Sequence, residues 1–112
     1  VYSGTSTSIL AITNAPSSMY GYQYRCLVNG NIYSTIFLLK FGMTWEGTIS
    51  NVWENPANWS CGSLPDANTD VIVNGGKSNY PQINSNVTIR TLRMNHGSTG
   101  NVNAGFTLTI LK

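Results

Sequence analysis

Apolar positions along this chain come in short runs separated by clusters of Gly, Asn, Ser and Pro, the pattern of strands and turns. Ser8–Thr13 is a first apolar run, closed by the turn residues Asn14-Ala15-Pro16-Ser17-Ser18. Tyr22, Tyr24, Cys26 and Val28 then recur with period two while Gln23, Arg25 and Leu27 face the other way, which predicts a strand with one apolar face. Asn29-Gly30-Asn31 predicts a tight hairpin, because Asn-Gly accepts the positive φ of the favoured short turns. Ile32–Phe41, rich in β-branched and aromatic side chains, is the return strand. Gly42 then marks a boundary, which divides the chain into an antiparallel unit over 1–42 and a second module over 43–112.

The second module opens with Thr44-Trp45 and Val52-Trp53 flanking a turn at Gly47. Glu54 to Asp70 follows as a long loop, in which the closely spaced Trp45, Trp53 and Trp59 act as pins. From Asp70 onward a recurrence is visible: Val71-Ile72-Val73, then Val87–Met94, then Phe106–Leu111, starting 16 and 19 residues apart. A β-solenoid rung takes about 20 residues. The spacing therefore fits the start of a solenoid, with the Gly/Asn/Ser stretches as corners, and an antiparallel sandwich or meander is the competing architecture.

Composition sharpens the class. Charged residues make up 9%, against roughly 25% in an average globular chain. Ser, Thr and Asn together fill about a third of the sequence, and these residues favour turns, caps and strands over helix interiors. A hydrophobic fraction of 41% suffices for a core. The six basic residues are scattered, with only Arg90 and Arg93 close together, so the basic stripe of a nucleic-acid binder is missing. No apolar run is long enough to span a membrane as a helix. A surface of Ser, Thr and Asn, low in Lys and Glu, points to an extracellular or cell-surface location.

Cys26 and Cys61 are spaced wrongly for a C-x-x-C unit, leaving a disulfide or two buried thiols. Asn58-Trp59-Ser60 and Asn86-Val87-Thr88 are glycosylation sequons. Candidate chemistry is sparse. His96 lies in a Gly/Ser/Asn turn with no acid near it in sequence to orient it as a base. Glu46, Glu54, Asp66 and Asp70 cluster around the tryptophan loop, as paired carboxylates of a glycosidase or as the acids of a sugar-binding surface. Trp45, Trp53 and Trp59 are candidate sugar contacts there, with packing as the competing role. Asp66, Asn68 and Asp70 alternate as calcium ligands do, without the closing Glu of a calcium loop. Gly75-Gly76 is a turn pair that lacks the lysine and helix of a phosphate loop.

Met19-Tyr20-Gly21-Tyr22-Gln23-Tyr24-Arg25-Cys26 resembles the passage from strand E to strand F of an immunoglobulin-like domain, where a tyrosine stands two residues before the strand F cysteine. Tyr24 and Cys26 match, whereas the glycine stands one residue too early and Tyr20 replaces the usual acid. The resemblance implies strands E, F and G at Ser8–Thr13, Tyr22–Val28 and Ile32–Phe41, with Tyr24 as a tyrosine corner. No strand B cysteine precedes Cys26, so it pairs with Cys61 or stays free. Strands A to D are likewise missing, which is expected to leave Tyr24, Cys26, Val28, Ile36 and Leu38 exposed beside open sheet edges.

Met43–Lys112 resembles a module of the very large secreted surface proteins of Bacteroidota. The matches are Trp45-Glu46-Gly47, Trp53, Asn55-Pro56-Ala57-Asn58-Trp59, Pro65, Asp70-Val71-Ile72-Val73 and Val102–Ile110. That resemblance implies export and a role in adhesion or gliding.

The expectation is therefore an all-β chain: a partial immunoglobulin-like sandwich followed by a β-solenoid start or a small sandwich. Its expected role is non-enzymatic and cofactor-free, as an extracellular structural or adhesive subunit of a fibre or surface assembly. Self-association would run through exposed β-edges, with Phe106, Leu108 and Ile110 as the assembly strand. The alternative is a carbohydrate-binding module of a larger secreted protein, acting on a surface polysaccharide.

Overall fold

The computed structural model describes residues 2–112, and the protein is all-β. Ser17–Met19 and Pro56–Asn58 are single 3-10 turns, and no longer helix occurs among the described residues. The chain divides into two compact units, the first ending at Leu39 and the second running from Lys40 to Lys112. The division falls three residues before the expected break after Gly42, because Phe41 belongs to the first strand of the second unit.

In the first unit, β1 (Tyr2–Ser3) pairs antiparallel with β2 (Ala11–Ile12), so the predicted strand Ser8–Thr13 shrinks to two residues. β3 (Gln23–Tyr24) pairs with β6 (Phe37–Leu38), and β4 (Leu27–Val28) with β5 (Ile32–Tyr33), all antiparallel. This is the predicted hairpin. Asn29 and Gly30 sit at its tip with φ of 52° and 74°, and Asn31 N donates back to Val28 O. Two positive φ values at the centre are what a type I′ turn requires.

The register of this hairpin slips by one along its length. Tyr24 faces Phe37, but three residues later Leu27 faces Tyr33, four residues earlier on the return strand. The extra residue between Ser34 and Ile36 is a β-bulge, which switches the side of the sheet that later residues face. Of the residues expected to be exposed here, Cys26, Val28, Ile36 and Leu38 are exposed and Tyr24 is half-buried, and the slip puts Phe37 across from Tyr24 and Leu38 across from Gln23.

The second unit is a parallel solenoid. β7 (Phe41–Trp45), β8 (Thr69–Val73) and β11 (Thr91–Met94) stack in register as one face. β9 (Gln82–Ile83) and β12 (Asn101–Val102) form the second face, to which Val52 adds a bridge at Gln82. β10 (Val87–Ile89) and β13 (Leu108–Ile110) form the third. All of these pairings are parallel, which decides between the two architectures that the sequence left open.

The repeat has a different phase from the one read in the sequence. Val71 is matched by Leu92 and Val87 by Leu108, each twenty-one residues on. Val71 and Val87 stand on different faces of one rung, so the 16-residue spacing measured a path around the coil. The second face escaped notice because two-residue strands carry no periodicity. Phe106 precedes β13 and is not part of a strand.

Inward positions form one core of Trp45, Trp53, Trp59, Val71, Val73, Ile83 and Ile89, all 3% exposed or less. Along β8 the burial alternates, with Thr69, Val71 and Val73 buried and Asp70 and Ile72 half-buried. This is the period-two signature of a sheet with one face inside.

Candidate functional site

Two surfaces stand out, one on each unit. The first is the hairpin of the N-terminal unit. Met19 is its only buried residue among those described, so this unit has no core of its own. Ile32, Phe37 and Ile36 are 64%, 63% and 57% exposed, and Leu27, Val28, Tyr33 and Leu38 are exposed around them. β4 and β5 each have a single strand partner among the described residues, so their outer edges are open. Arg25 lies over the Tyr33 ring, its guanidinium carbon 3.7 Å from the centroid, leaving the charge stacked on an aromatic face at the edge of this patch.

The expected tyrosine corner takes another form. The Tyr24 hydroxyl meets the Tyr2 hydroxyl at 2.9 Å, which ties the hairpin to β1. The Tyr24 phenol is pushed up to about 12, first by desolvation, then by its hydrogen bond to Tyr2 and by Tyr22 nearby.

The second surface is the end of the solenoid formed by β11, β12 and β13, each with one strand partner among the described residues. Its inward side chains repeat the core apolar residue for apolar residue. Val73 is followed by Met94, Ile83 by Val102 and Ile89 by Ile110. Exposure rises from 0–3% in the first member of each pair to 38–44% in the second. A cavity of about 250 Å³ opens there, with Trp53, Val73, Ile83, Leu92, Met94 and Val102 among its walls. Of the expected assembly strand, Leu108 and Ile110 lie in β13 at this end, already paired on one side with β10, and Phe106 is exposed beside them.

The opposite end of the solenoid is closed. Trp59 forms an antiparallel bridge with Trp45, and Asn58 O accepts from Glu46 N and Gly47 N. Ser60 N donates to Thr44 O, and Ser60 Oγ accepts from Thr44 N. The loop therefore covers the free edge of β7 at its Thr44–Trp45 end.

The residues of the loop motifs explain how it does so. Asn55 Oδ1 accepts from Ala57 N and starts the 3-10 turn, with Pro56 at its first position. Asn58 is fully buried, its Oδ1 accepting from Ile49 N and Ser50 N and its Nδ2 donating to Ser50 Oγ and Val52 O. Gly47 has φ of 60°, and a Cβ there would meet Asn79 O at 2.2 Å. That space lets Trp45 Nε1 donate to Asn79 O, while Asn79 Nδ2 donates to Gly47 O.

Trp45, Trp53 and Trp59 are the centre of the core, with edge-to-face ring pairs at 5.1 and 4.6 Å. The expectation that they touch sugar is overturned, since no indole face is free for stacking. Burying one indole is worth on the order of 5 kcal/mol by area, and that gain fixes them inside.

The remaining candidates are also spent structurally. Asp66 Oδ1 accepts from Asn68 N and Thr69 Oγ1, an Asx turn leading into β8. Asp70 Oδ1 accepts from Thr91 Oγ1 and lies 3.6 Å from Arg90 Nε. Asp66, Asn68 and Asp70 thus serve the turn and the next rung, and no three His, Cys, Asp or Glu side chains converge among the described residues. Glu46 pairs with Lys77 at 2.9 Å. Glu54 Oε1 accepts from Asn84 N and Ser85 Oγ, and although burial pushes its carboxyl up, these bonds outweigh that and hold it below the usual value. His96 lies in an exposed turn.

Cys26 and Cys61 are free exposed thiols, one on each unit, and neither the expected bridge nor the alternative of buried thiols is formed. The Asn58 sequon is closed to a glycan by burial, whereas Asn86 is exposed.

Asparagine ladders were missed in the sequence. Asn95 Nδ2 donates to Asn74 Oδ1 at 2.7 Å, and Asn103 Nδ2 to Asn84 Oδ1. Their spacings of 21 and 19 residues match the strand registers and were the available signal.

Residues 44–112 match the family described as Domain of unknown function (DUF8693), and that stretch contains the closing loop and nearly the whole solenoid. The chain belongs to this family. No curated protein and no solved structure matches it. The DUF8693 region starts at Thr44, one residue before Trp45, so the match begins at the tryptophan that the closing loop covers.

Proposed function

We propose that this protein is an extracellular structural or adhesive element whose solenoid is a rigid body and whose N-terminal hairpin joins it to neighbouring chains by β-strand pairing. The observation that carries this reading is an N-terminal unit with one buried residue among those described and a large exposed apolar hairpin. Such a surface, bordered by open strand edges, is a site for strand addition from another chain. Two features support the wider role. The carboxylates Asp66, Asp70 and Glu46 are spent in a turn, in the next rung and in an ion pair. The likeness of Met43–Lys112 to modules of secreted Bacteroidota surface proteins points to the same setting.

The test is sedimentation velocity on the purified chain at micromolar concentration, with electron microscopy of the same sample. Oligomers or fibres are expected. The substitutions Ile36→Lys and Phe37→Lys together should return the protein to monomers with its tryptophan fluorescence unchanged, because the indoles belong to the other unit's core. A wild-type chain that sediments as a monomer would reject the proposal.

A further inference from the structure

The hairpin edge that carries Arg25 shows what kind of strand it is built to receive, an inference that rests on the hairpin's role as a strand acceptor. Backbone hydrogen bonds across the hairpin fall on every second residue. Tyr22 O accepts from Leu39 N, Cys26 O from Ser34 N and Val28 O from Asn31 N, and Cys26 N donates to Ser34 Oγ. Alternation along the strand turns the N–H and C=O of Gln23, Arg25 and Leu27 the other way. They line the side of β3 and β4 that has no strand partner among the described residues. Donors and acceptors at every second residue are a template for an extended backbone.

A groove of about 700 Å³ opens along the same stretch. Leu10 and Ile12 are among its walls, and Tyr24, Arg25, Cys26 and Leu27 line it from the hairpin. A space of that size takes several side chains, and walls of Leu and Ile favour apolar ones.

Charge selects the occupant. Arg25 is the one charged side chain in residues 1–39, and no ion pair among the described residues includes it. Its guanidinium carbon lies 3.7 Å from the Tyr33 ring centroid. Stacking uses a face of this planar group and leaves its in-plane N–H donors for an acceptor, and a carboxylate takes two of them at once.

A second copy of the chain does not supply that acid. Glu46, Glu54, Asp66 and Asp70 all lie in the solenoid unit, bonded there to Lys77, Ser85, Asn68 and Thr91. Two hairpins paired antiparallel in full overlap at this edge would set Arg25 against Arg25, and like charges directly opposite repel.

We propose that Gln23–Leu27 is a docking edge for an extended segment of a different protein, one that sets a carboxylate opposite Arg25. The residues next to that acid are apolar and face the same side as Tyr24 and Cys26, because side chains alternate along a strand.

The test uses the full chain, biotinylated at its C-terminus and tethered so sparsely that copies do not meet. The probe is the terminally blocked peptide Ser-Val-Thr-Val-Glu-Val-Thr-Val-Ser, and the control has Lys in place of Glu. By surface plasmon resonance the Glu peptide should bind about tenfold more tightly than the Lys peptide, and Arg25→Glu should invert the order. In solution, saturating Glu peptide should slow amide exchange at Gln23, Arg25 and Leu27 about tenfold and leave Cys26, already bonded to Ser34, unchanged. Absent binding, equal binding of the two peptides, an order unchanged by Arg25→Glu, or unslowed exchange at those three amides would overturn the proposal. Displacement of the peptide by an equal concentration of N-acetylglutamate amide would assign Arg25 to a small acid and overturn it too. Both peptides meet the wild-type chain, so the comparison stands even if the variant does not fold. Oligomerisation is read without peptide: a monomeric wild-type chain counts against the functional reading alone, and oligomers that ignore the Glu peptide count against this edge alone.

Discussion

At the scale of single residues, the closing loop depends on two side-chain identities that no hydrophobic pattern reveals. Asn58 answers four hydrogen-bonding groups from a fully buried position. Asn58→Ala would orphan two backbone N–H groups and the Val52 carbonyl, and unsatisfied buried groups cost about 1–3 kcal/mol. We expect a loss of about 3 kcal/mol, read as a lower urea midpoint by tryptophan fluorescence. Gly47→Ala places a Cβ 2.2 Å from Asn79 O at a positive φ, so the chain must shift and the Trp45 Nε1 bond to Asn79 is lost. The expected cost is again about 3 kcal/mol, strain and hydrogen bond together. The importance of both positions was visible in sequence only as parts of a motif. Their work is to satisfy polar groups around three buried rings, and which groups need satisfying is set by how the loop packs.

At the scale of elements, two titrations report on how segments are tied together. Glu54 joins the segment after Trp53 to Asn84 and Ser85, ahead of β10. Its carboxyl lies below the ordinary value of 4.5, so protonation is harder in the folded chain than in the unfolded one. The stability it lends is complete above pH 4.5 and is lost as pH falls through the lowered value. Glu54→Gln should therefore flatten the acid limb of a pH–stability curve measured by urea unfolding.

Tyr24 runs in the opposite sense. Its phenol is raised from 10 to about 12, so its contribution is full below pH 10 and disappears as pH climbs toward 12. Tyr2→Phe removes one cause of the shift and should move the Tyr24 step partway back toward 10 in an ultraviolet titration. The hairpin between β4 and β5 was legible from Asn29-Gly30, since turn chemistry is local. The bulge before Phe37 was not, because Ile32-Tyr33-Ser34-Thr35-Ile36-Phe37-Leu38-Leu39 has no polar–apolar alternation in which a one-residue slip could show.

At the scale of the whole molecule, the cysteines distinguish two ways of holding the chain together. A bridge between Cys26 and Cys61 would tie one unit to the other covalently, and the structure has both thiols free and exposed. Ellman's reagent should therefore titrate two thiols per native chain, and Cys26→Ser/Cys61→Ser should leave the urea midpoint unchanged. Folding of the solenoid owes nothing to cross-linking on this account. It rests on a core that stacks Val71, Val73, Ile83 and Ile89 under the next rung and on the tryptophans that close the other end.

Strand-forming composition, the hairpin, the long tryptophan-pinned loop and a repeat near 20 residues were all determined by the sequence itself, because each follows from local propensity or from residues close in the chain. The tertiary structure alone decided that the strands pair in parallel, that Val71 answers to Leu92, and that the indoles face inward with no surface left for a sugar. Those outcomes depend on which residues lie one full turn of the coil apart, and a distance set by corners and two-residue strands leaves no trace in the alternation of polar and apolar positions.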